Sequence, residues 1–264
     1  MSDKKVLIGD TDMYYASFGQ GKRKMVVLPG LSDGLITVNG KGLLLVQPYR
    51  KFLKDYTIYM FSRKNKMPEG YSIRDMANDQ ALAMKDLGIE KAMVLGVSQG
   101  GMIAQYLAID HPEMVEKLIL AVTAPYANEV AKEAVGFWIE MAEKEDQVNL
   151  MVDTAKRMYS DSYLDKNLRL FPLVAKVTKP KSYERFLRNA YAIMNFDARE
   201  ELSKISCPTL ILSGEDDKTV GNEAPGELHS LISGSKVHIF EGLGHGAFEE
   251  APDFYDRVFA FCDD

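Results

Sequence analysis

The stretch that most constrains the fold is residues 91–109, KAMVLGVSQGGMIAQYLAI, which predicts a strand, a tight turn and a helix in that order. The short apolar run at 92–95 is typical of a strand that is covered on both faces. Apolar side chains then recur at helical spacing over 102–109. Between the two lies GVSQG at 96–100, which fits the pattern G-x-S-x-G. The stretch therefore predicts a buried strand joined to a helix through a serine.

The serine of this turn is a candidate nucleophile. A serine on a very tight strand-to-helix turn takes strained backbone angles, and glycine, which lacks Cβ, fits easily at the flanking positions Gly96 and Gly100. Such a turn lifts the Ser98 hydroxyl clear of the sheet and places it at a helix N-terminus, where free N–H groups favour a developing negative charge. The alternative is a glycine-rich turn that only packs a helix on a sheet, so the rest of the chain has to decide.

Composition and charge limit the class of protein. The chain has 264 residues, 46% of them hydrophobic, which is enough for one large α/β domain with an inserted subdomain. Its net charge is −6 and it has no basic run, so we expect neither nucleic acid nor a membrane as a partner. Cys207 and Cys262 lack metal-site spacing and accompany no secretion signal. We therefore expect a cytoplasmic protein without a disulfide framework or a metal.

Strand-like and helix-like segments alternate along most of the chain. Besides 92–95, strands are predicted as a hairpin at 5–18 and at 25–28, 56–61, 117–123, 210–212 and 237–240. Ser72, with Asp75 three residues later, predicts a capped helix that Gly88 ends, and a charged loop at 62–71 precedes it. This alternation predicts a mostly parallel sheet of eight strands with right-handed crossovers.

The alternation breaks at residues 125–195. No strand-like run occurs there, and helical periodicity covers 127–159 and a second set of apolar residues further on. We interpret this segment as a helical cap inserted into a core formed by 1–124 and 196–264. Its methionines and aromatic residues suit an adaptable apolar pocket wall, or they only pack the cap against the core.

A second unusual segment is 35–47, where Gly40 and Gly42 lie among seven apolar residues. One interpretation is a mobile apolar segment that borders a pocket. The other is an irregular start of the helix that runs to Phe52. The sequence favours neither.

Acyl transfer by a serine needs a base, an acid that holds the base, and donors for the oxyanion. The chain has four histidines, and only His245 lies in a glycine-flanked loop, GLGHG at 242–246, after a predicted strand. The carboxyl ends of parallel strands share one edge of the sheet, so this loop is expected at the edge of Ser98. His245 is thus the candidate base, and a surface histidine is the alternative.

The acid is expected at the same edge. The strand that ends at Thr123 is followed by no carboxylate, whereas the strand that ends at Leu212 is followed by Glu215, Asp216 and Asp217. Position along the chain does not choose among the three, and two of them are expected to be solvated turn residues. The order serine, acid, histidine is that of α/β-hydrolases and differs from that of trypsin-like and subtilisin-like enzymes.

The chain resembles the α/β-hydrolase superfamily over nearly its full length. The matching motifs are GVSQGG at 96–101, SGEDDK at 213–218, GLGHG at 242–246 and LPGL at 28–31. The resemblance implies an α/β-hydrolase fold, a mostly parallel eight-stranded sheet flanked by helices with an inserted helical cap. It also selects Asp217 as the acid, because the family's aspartate stands three residues after the glycine of the acid turn.

The resemblance further implies that the backbone N–H groups of Leu31 and Gln99 form the oxyanion hole. Pro29 stands where the family usually has a histidine, which need not matter because N–H groups bind the oxyanion. Residues 62–65, SRKN, replace the glycine-histidine turn of many relatives. The serine at 98 argues against haloalkane dehalogenases and epoxide hydrolases, which use aspartate there.

We therefore expect a serine hydrolase that needs no metal or organic cofactor. It would cleave a small or medium carboxylic ester or lactone with an apolar portion, through an acyl-enzyme on Ser98. Two alternatives stay open. The same triad could serve carbon–carbon bond hydrolysis, perhydrolysis or a lyase reaction, or the pocket could belong to a ligand-binding receptor with little or no turnover.

Overall fold

An eight-stranded sheet runs through the centre of the molecule in the order β1-β2-β4-β3-β5-β6-β7-β8. The computed structural model describes residues 4–264. The strands are β1 (Lys4–Ile8), β2 (Thr11–Phe18), β3 (Arg23–Leu28), β4 (Tyr56–Lys64), β5 (Ala92–Val97), β6 (Val115–Ala121), β7 (Thr209–Gly214) and β8 (Lys236–Phe240). β1 pairs with β2 and β2 with β4 in antiparallel fashion, and the other five pairings are parallel. The predicted fold class is confirmed.

Helices cover both faces of the sheet, which explains why the central strands are apolar throughout. Every residue of β5 and of β7 is buried, as expected of parallel strands covered on both sides. The helices are α1 (Gly42–Leu45), α2 (Ile73–Asp86), α3 (Gln99–Asp110), α4 (Glu129–Glu143), α5 (Gln147–Met158), α6 (Asp161–Asn167), α7 (Phe171–Val177), α8 (Glu184–Met194), α9 (Ala224–Leu231), α10 (Ala247–Glu250) and α11 (Phe254–Asp263).

The predicted capping of the N-terminus of α2 is present. Ser72 accepts a hydrogen bond from the Asp75 N–H, and the Asp75 carboxylate accepts one from the Ser72 N–H, which together form a capping box. At the other end Gly88 has a φ of +65°, so the chain leaves the helix through the left-handed region that glycine favours.

The second half of the glycine- and leucine-rich segment 35–47 is helical. α1 is followed directly by a 3-10 helix over Gln47–Phe52, and the intervening Val46 has helical angles. The interpretation of an irregular helical start that runs to Phe52 is therefore the one the structure bears out. Leu43 and Leu44 of α1 are 73% and 75% exposed.

The predicted end of the fourth strand is wrong. The sequence predicts a strand at 56–61 and a charged loop from 62, whereas β4 continues to Lys64. Pairing with β2 extends that far, since Met13 lies opposite Lys64. Arg63, which the sequence places in the loop, is 2% exposed, and its guanidinium group contacts Gln99 and Asp33.

Between β6 and β7 the described chain contains five α-helices, α4 to α8. The two ends of this segment lie side by side and form a neck, where an antiparallel bridge joins Tyr126 to Asp197. Backbone hydrogen bonds from Ala127 to Phe196 and from Ala198 to Pro125 close this neck. We refer to 125–195 as the cap, and its status as a separate domain stays a prediction. Among residues 4–264, no helix combines the length and the apolar character that crossing a membrane requires.

Candidate active site

The turn between β5 and α3 has the strain expected of a nucleophile elbow. Ser98 has a φ of +54° and a ψ of −119°, outside the regions that L residues normally adopt. A Cβ at Gly96 would lie 2.4 Å from the Gly100 carbonyl oxygen, and a Cβ at Gly100 would lie 1.9 Å from that of Leu28. Glycine at both positions is thus required by close backbone approach.

A neighbouring residue that the sequence did not single out supports this turn. The Thr123 hydroxyl donates a hydrogen bond of 2.8 Å to the Ser98 carbonyl oxygen. Thr123 also fills the space beside Gly101, where an added Cβ would lie 2.6 Å from the threonine Cβ. It follows Val122, a buried residue with a φ of +45°. The hydrogen bond and the packing of Thr123 thus hold the strained elbow against the adjacent strand end.

The structure brings the three predicted triad residues together. His245 Nε2 lies 2.9 Å from Ser98 Oγ, and His245 Nδ1 lies 2.8 Å from Asp217 Oδ2. Asp217 and His245 are each 4% exposed, while Ser98 is partly exposed. The second carboxylate oxygen of Asp217 accepts the N–H groups of Thr219 at 2.8 Å and Val220 at 3.0 Å. These bonds hold the carboxylate in the orientation that His245 requires.

The other two carboxylates of the acid turn face elsewhere. Glu215 is exposed and accepts the Gly242 N–H at 3.0 Å, and Asp216 is exposed on the same turn. Of the three carboxylates that chain position left open, Asp217 is the one that contacts His245, and its role as the catalytic acid stays a prediction.

The remaining histidines contact groups outside this arrangement. His111 Nε2 lies 3.0 Å from Asn78 Oδ1 and His229 Nδ1 lies 2.9 Å from Ser235 Oγ. His238 packs edge-on against Phe240. Within residues 4–264 no group of three histidine, cysteine, aspartate or glutamate side chains is placed to hold a metal ion.

The predicted oxyanion donors lie at helix starts beside the nucleophile. Leu31 begins a 3-10 helix over Leu31–Gly34 and Gln99 begins α3, so the N–H of each lies in a first turn, where it has no intrahelical acceptor. The preceding loop lies against the serine, because a Cβ on Gly30 would stand 3.3 Å from Ser98 Cβ. Both N–H groups therefore belong to segments that adjoin Ser98, and their role as oxyanion donors stays a prediction.

The sequence did not predict the buried charges next to this loop. Arg63 Nη2 donates to Gln99 Oε1 at 2.9 Å, and the Arg63 N–H donates to Asp33 Oδ2 at 2.9 Å. Arg185, on cap helix α8, donates to the same Asp33 oxygen at 2.6 Å. These residues come from four distant parts of the chain, so no local pattern signals their contact.

The cap also contacts the histidine loop. The Gly246 N–H donates to the Met158 carbonyl oxygen at 2.6 Å. Ser160 donates from its N–H and its hydroxyl to the Glu250 carboxylate, at 3.0 Å and 2.6 Å. Tyr159 donates to Glu249 at 2.7 Å. Residues 158–160 therefore fix the cap beside His245.

A separate surface cleft of about 540 Å³ lies on another face of α8. Arg188, Tyr191 and Asn195 of the α8 region line it, opposite Arg74 and Tyr106. None of the triad residues is in its wall, so we do not assign it to the chemistry of Ser98.

Residues 53–252 match the sequence model of a family described as alpha/beta hydrolase fold. The match spans well over half of the chain. The protein therefore belongs to the α/β-hydrolase family and is an enzyme of the hydrolase class, which confirms the resemblance inferred from the motifs.

The sequence identity to the individual relatives described next is below 30%. The chain is 29% identical over 209 residues to the AB hydrolase superfamily protein YisY of Bacillus subtilis, covering 76% of each chain. It is 24% identical over 256 residues to 3-oxoadipate enol-lactonase 2 of Acinetobacter baylyi, covering 94% of this chain and 92% of the relative. The solved structure of MGS-M2, an alpha/beta hydrolase from a Medee basin deep-sea metagenome library, superposes with a TM-score of 0.88 at 20% identity, covering 99% and 98% of the two chains.

Proposed function

We propose that the protein hydrolyses a small or medium carboxylic ester or lactone through an acyl-enzyme on Ser98. The observation that carries the proposal is the continuous relay from Ser98 through His245 to Asp217, with contacts of 2.9 Å and 2.8 Å. A nucleophile, a base and an orienting acid within hydrogen-bond distance are the minimum set for acyl transfer by serine.

In the first step Ser98 Oγ attacks the carbonyl carbon while His245 Nε2 takes its proton. Nδ1–H of His245 donates to Asp217, which keeps Nε2 free as the acceptor and stabilises the imidazolium that forms. Because Asp217 is buried and holds two backbone N–H bonds, it stays fixed during the proton transfer.

The tetrahedral intermediate carries its negative charge on the former carbonyl oxygen. The N–H groups of Leu31 and Gln99 are the donors that we assign to this oxyanion, because both lie in first helical turns beside Ser98. One such donor typically contributes about 10²–10³ in rate.

Collapse of the intermediate then releases the alcohol. His245 returns its proton to the leaving alkoxide, and in a lactone this oxygen stays attached to the acyl chain. A water molecule, deprotonated by His245, attacks the acyl group, and the proton returns to Ser98 Oγ. These steps require only side chains and backbone N–H groups of this chain.

The substrate class follows from the relatives and the cap. One relative that aligns along nearly the whole chain is named an enol-lactonase, which supports an ester-type bond. A substrate with an apolar portion is proposed because the cap is rich in methionine and aromatic residues, which suit an adaptable apolar pocket wall. A reducing cytoplasm is the proposed location, since both cysteines are free thiols.

The test is a panel of chromogenic esters of increasing acyl length, with Ser98→Ala as the matched variant. We expect hydrolysis by the wild type and a loss of about 10⁴-fold or more in the variant. Equal rates in the two proteins would contradict the proposal. Labelling of the wild type by a fluorophosphonate without ester turnover would instead favour carbon–carbon bond hydrolysis, perhydrolysis, a lyase reaction or a ligand-binding receptor.

The acid is tested by a pair of isosteric changes on one turn. Asp217→Asn removes the charge that orients His245 and should lower kcat by about 10⁴-fold. Asp216→Asn, one residue away and exposed, is the control and should leave kcat unchanged. The reverse result would show that the acid is wrongly assigned.

A further inference from the structure

Five polar residues form one buried group behind the predicted oxyanion hole. They come from the loop after β3, the end of β4, the start of α3 and the cap helix α8. The residues are Asp33, Arg63, Gln99, Arg185 and Asn189. Four of them are at most 3% exposed, and the Arg185 side chain is 14% exposed.

Arg63 forms hydrogen bonds to Gln99 and to Asp33, which are one proposed oxyanion donor and a residue close to the other. Its Nη2 donates to the side chain of Gln99, whose backbone N–H is one proposed donor. Its backbone N–H binds Asp33, two residues beyond Leu31, whose N–H is the other donor. A single residue thus connects the two segments that have to point their N–H groups at the same oxygen.

The cap helix α8 completes this arrangement. Arg185 Nη2 donates to Asp33 Oδ2 at 2.6 Å and to the Arg63 carbonyl oxygen at 2.8 Å. Gln99 Nε2 donates to the Asn189 carbonyl oxygen at 2.8 Å. A Cβ on Gly34 would lie 2.8 Å from Phe186 Cα, so helix and loop are in direct backbone contact.

The group carries a net positive charge, because two guanidinium groups share one carboxylate. Burial lowers the pKa of Arg63 to about 10, which still leaves it cationic at neutral pH. Removing charges from water is costly, so such a cluster is weak evidence of a purely stabilising role. In a water-poor site a fixed positive charge favours a negative charge that develops nearby.

We infer that Arg63 is a positioning residue for the oxyanion hole, and that Arg185 extends this role to the cap. The inference rests on the proposed function. Arg63 fixes the position of the Gln99 side chain relative to the loop that carries Leu31. The cap, through Arg185 and Asn189, is then part of the transition-state machinery as well as a pocket wall.

The direct test compares Arg63→Met and Arg63→Lys with a matched control. Arg74→Met is the control, because Arg74 also binds two carboxylates, those of Asp110 and Glu201, and lines a cleft whose wall contains no triad residue. We expect Arg63→Met to lower kcat by about 10²-fold, the value of one oxyanion donor, with KM changed less than threefold. Arg63→Lys keeps the charge and should recover part of that loss, while Arg74→Met should keep full kcat.

A structural role alone would lower the amount of folded enzyme and leave its rate intact. Each kcat is therefore referred to the concentration of serine that a fluorophosphonate titrates. An unchanged kcat per titrated serine in Arg63→Met would overturn the inference. If that variant does not fold, Arg185→Met, in which Arg63 and Gln99 keep their contact, should lose about tenfold.

The amide resonances of Leu31 and Gln99 give a readout that needs no substrate. We expect both to shift in Arg63→Met or Arg185→Met and to stay in place in Arg74→Met. Unshifted resonances would overturn the inference even if the wild type proved inactive on every ester. Inactivity of the wild type together with shifted resonances would contradict the proposed function and leave the positioning role supported.

Discussion

The cap meets the catalytic loops at two places that differ in burial. On one side α8 binds the loop after β3, which carries Leu31, through Arg185 and Asp33, whose side chains are 14% and 2% exposed. On the other side residues 158–160 bind the histidine loop through Glu249, which is exposed, and Glu250, which is half-buried. We call these the buried anchor and the surface latch.

The difference predicts unequal strength. Removing one partner of a buried, hydrogen-bonded ion pair leaves an uncompensated charge and costs about 3–5 kcal/mol. A partly exposed polar contact exchanges with water and contributes about 0.5–1.5 kcal/mol. We therefore expect local opening of the cap to start at the surface latch, while the buried anchor stays formed.

The largest expected effect is that of Asp33→Asn in the buried anchor. This isosteric change leaves Arg63 and Arg185 without a carboxylate partner, so the free energy of unfolding should fall by about 3–5 kcal/mol. Urea unfolding followed by circular dichroism measures it. A loss below about 1 kcal/mol would remove the distinction between the two contacts.

An intermediate effect is expected at Gly34, where the loop that carries Asp33 is in backbone contact with α8. Gly34→Ala would place a Cβ 2.8 Å from Phe186 Cα and push α8 from the loop, at a cost of about 1–3 kcal/mol. Gly136→Ala in cap helix α4 is the control. No atom lies within 4 Å of its added Cβ, so it should stabilise the helix by about 0.5–1 kcal/mol. Equal effects of the two changes would show that the anchor tolerates displacement.

The smallest effect is expected at the surface latch. Glu250→Gln weakens two bonds to Ser160 and should lower the free energy of unfolding by less than about 1 kcal/mol, while hydrogen exchange of the Ser160 amide becomes faster. Glu241→Gln, at an exposed position in the preceding loop, should change neither quantity. A loss as large as that of Asp33→Asn would mean that the latch, too, is a principal support of the cap.

The sequence predicted those parts of the fold that local patterns encode. Short apolar runs predicted the eight strands, and the pair Ser72 and Asp75 predicted the start of α2. The sequence predicts the Ser98 turn and the histidine loop because each is flanked by glycines and follows a predicted strand. Ser98, His245 and Asp217 meet in the structure because parallel strands end at one edge.

The buried polar group that contains the anchor could not be predicted in this way. Its residues lie at 33, 63, 99, 185 and 189, and each alone is an ordinary polar residue of a loop, strand end or helix. The sequence places Arg63 in a charged loop, because an isolated strand gives no sign that partners from three other segments cover its end. Thr123 was missed for the same reason, since its role depends on the packing of α3 on β6.

The most direct test of the central claim is to identify the residue that carries the acyl group. The protein is mixed with a chromogenic ester, quenched in acid within the first turnover and digested, and the acylated peptide is sequenced by mass spectrometry. We predict one acyl group, on the peptide that contains Ser98, and none in Ser98→Ala. Ester turnover at an undiminished rate in Ser98→Ala, or an acyl group on another residue of the wild type, would contradict the account.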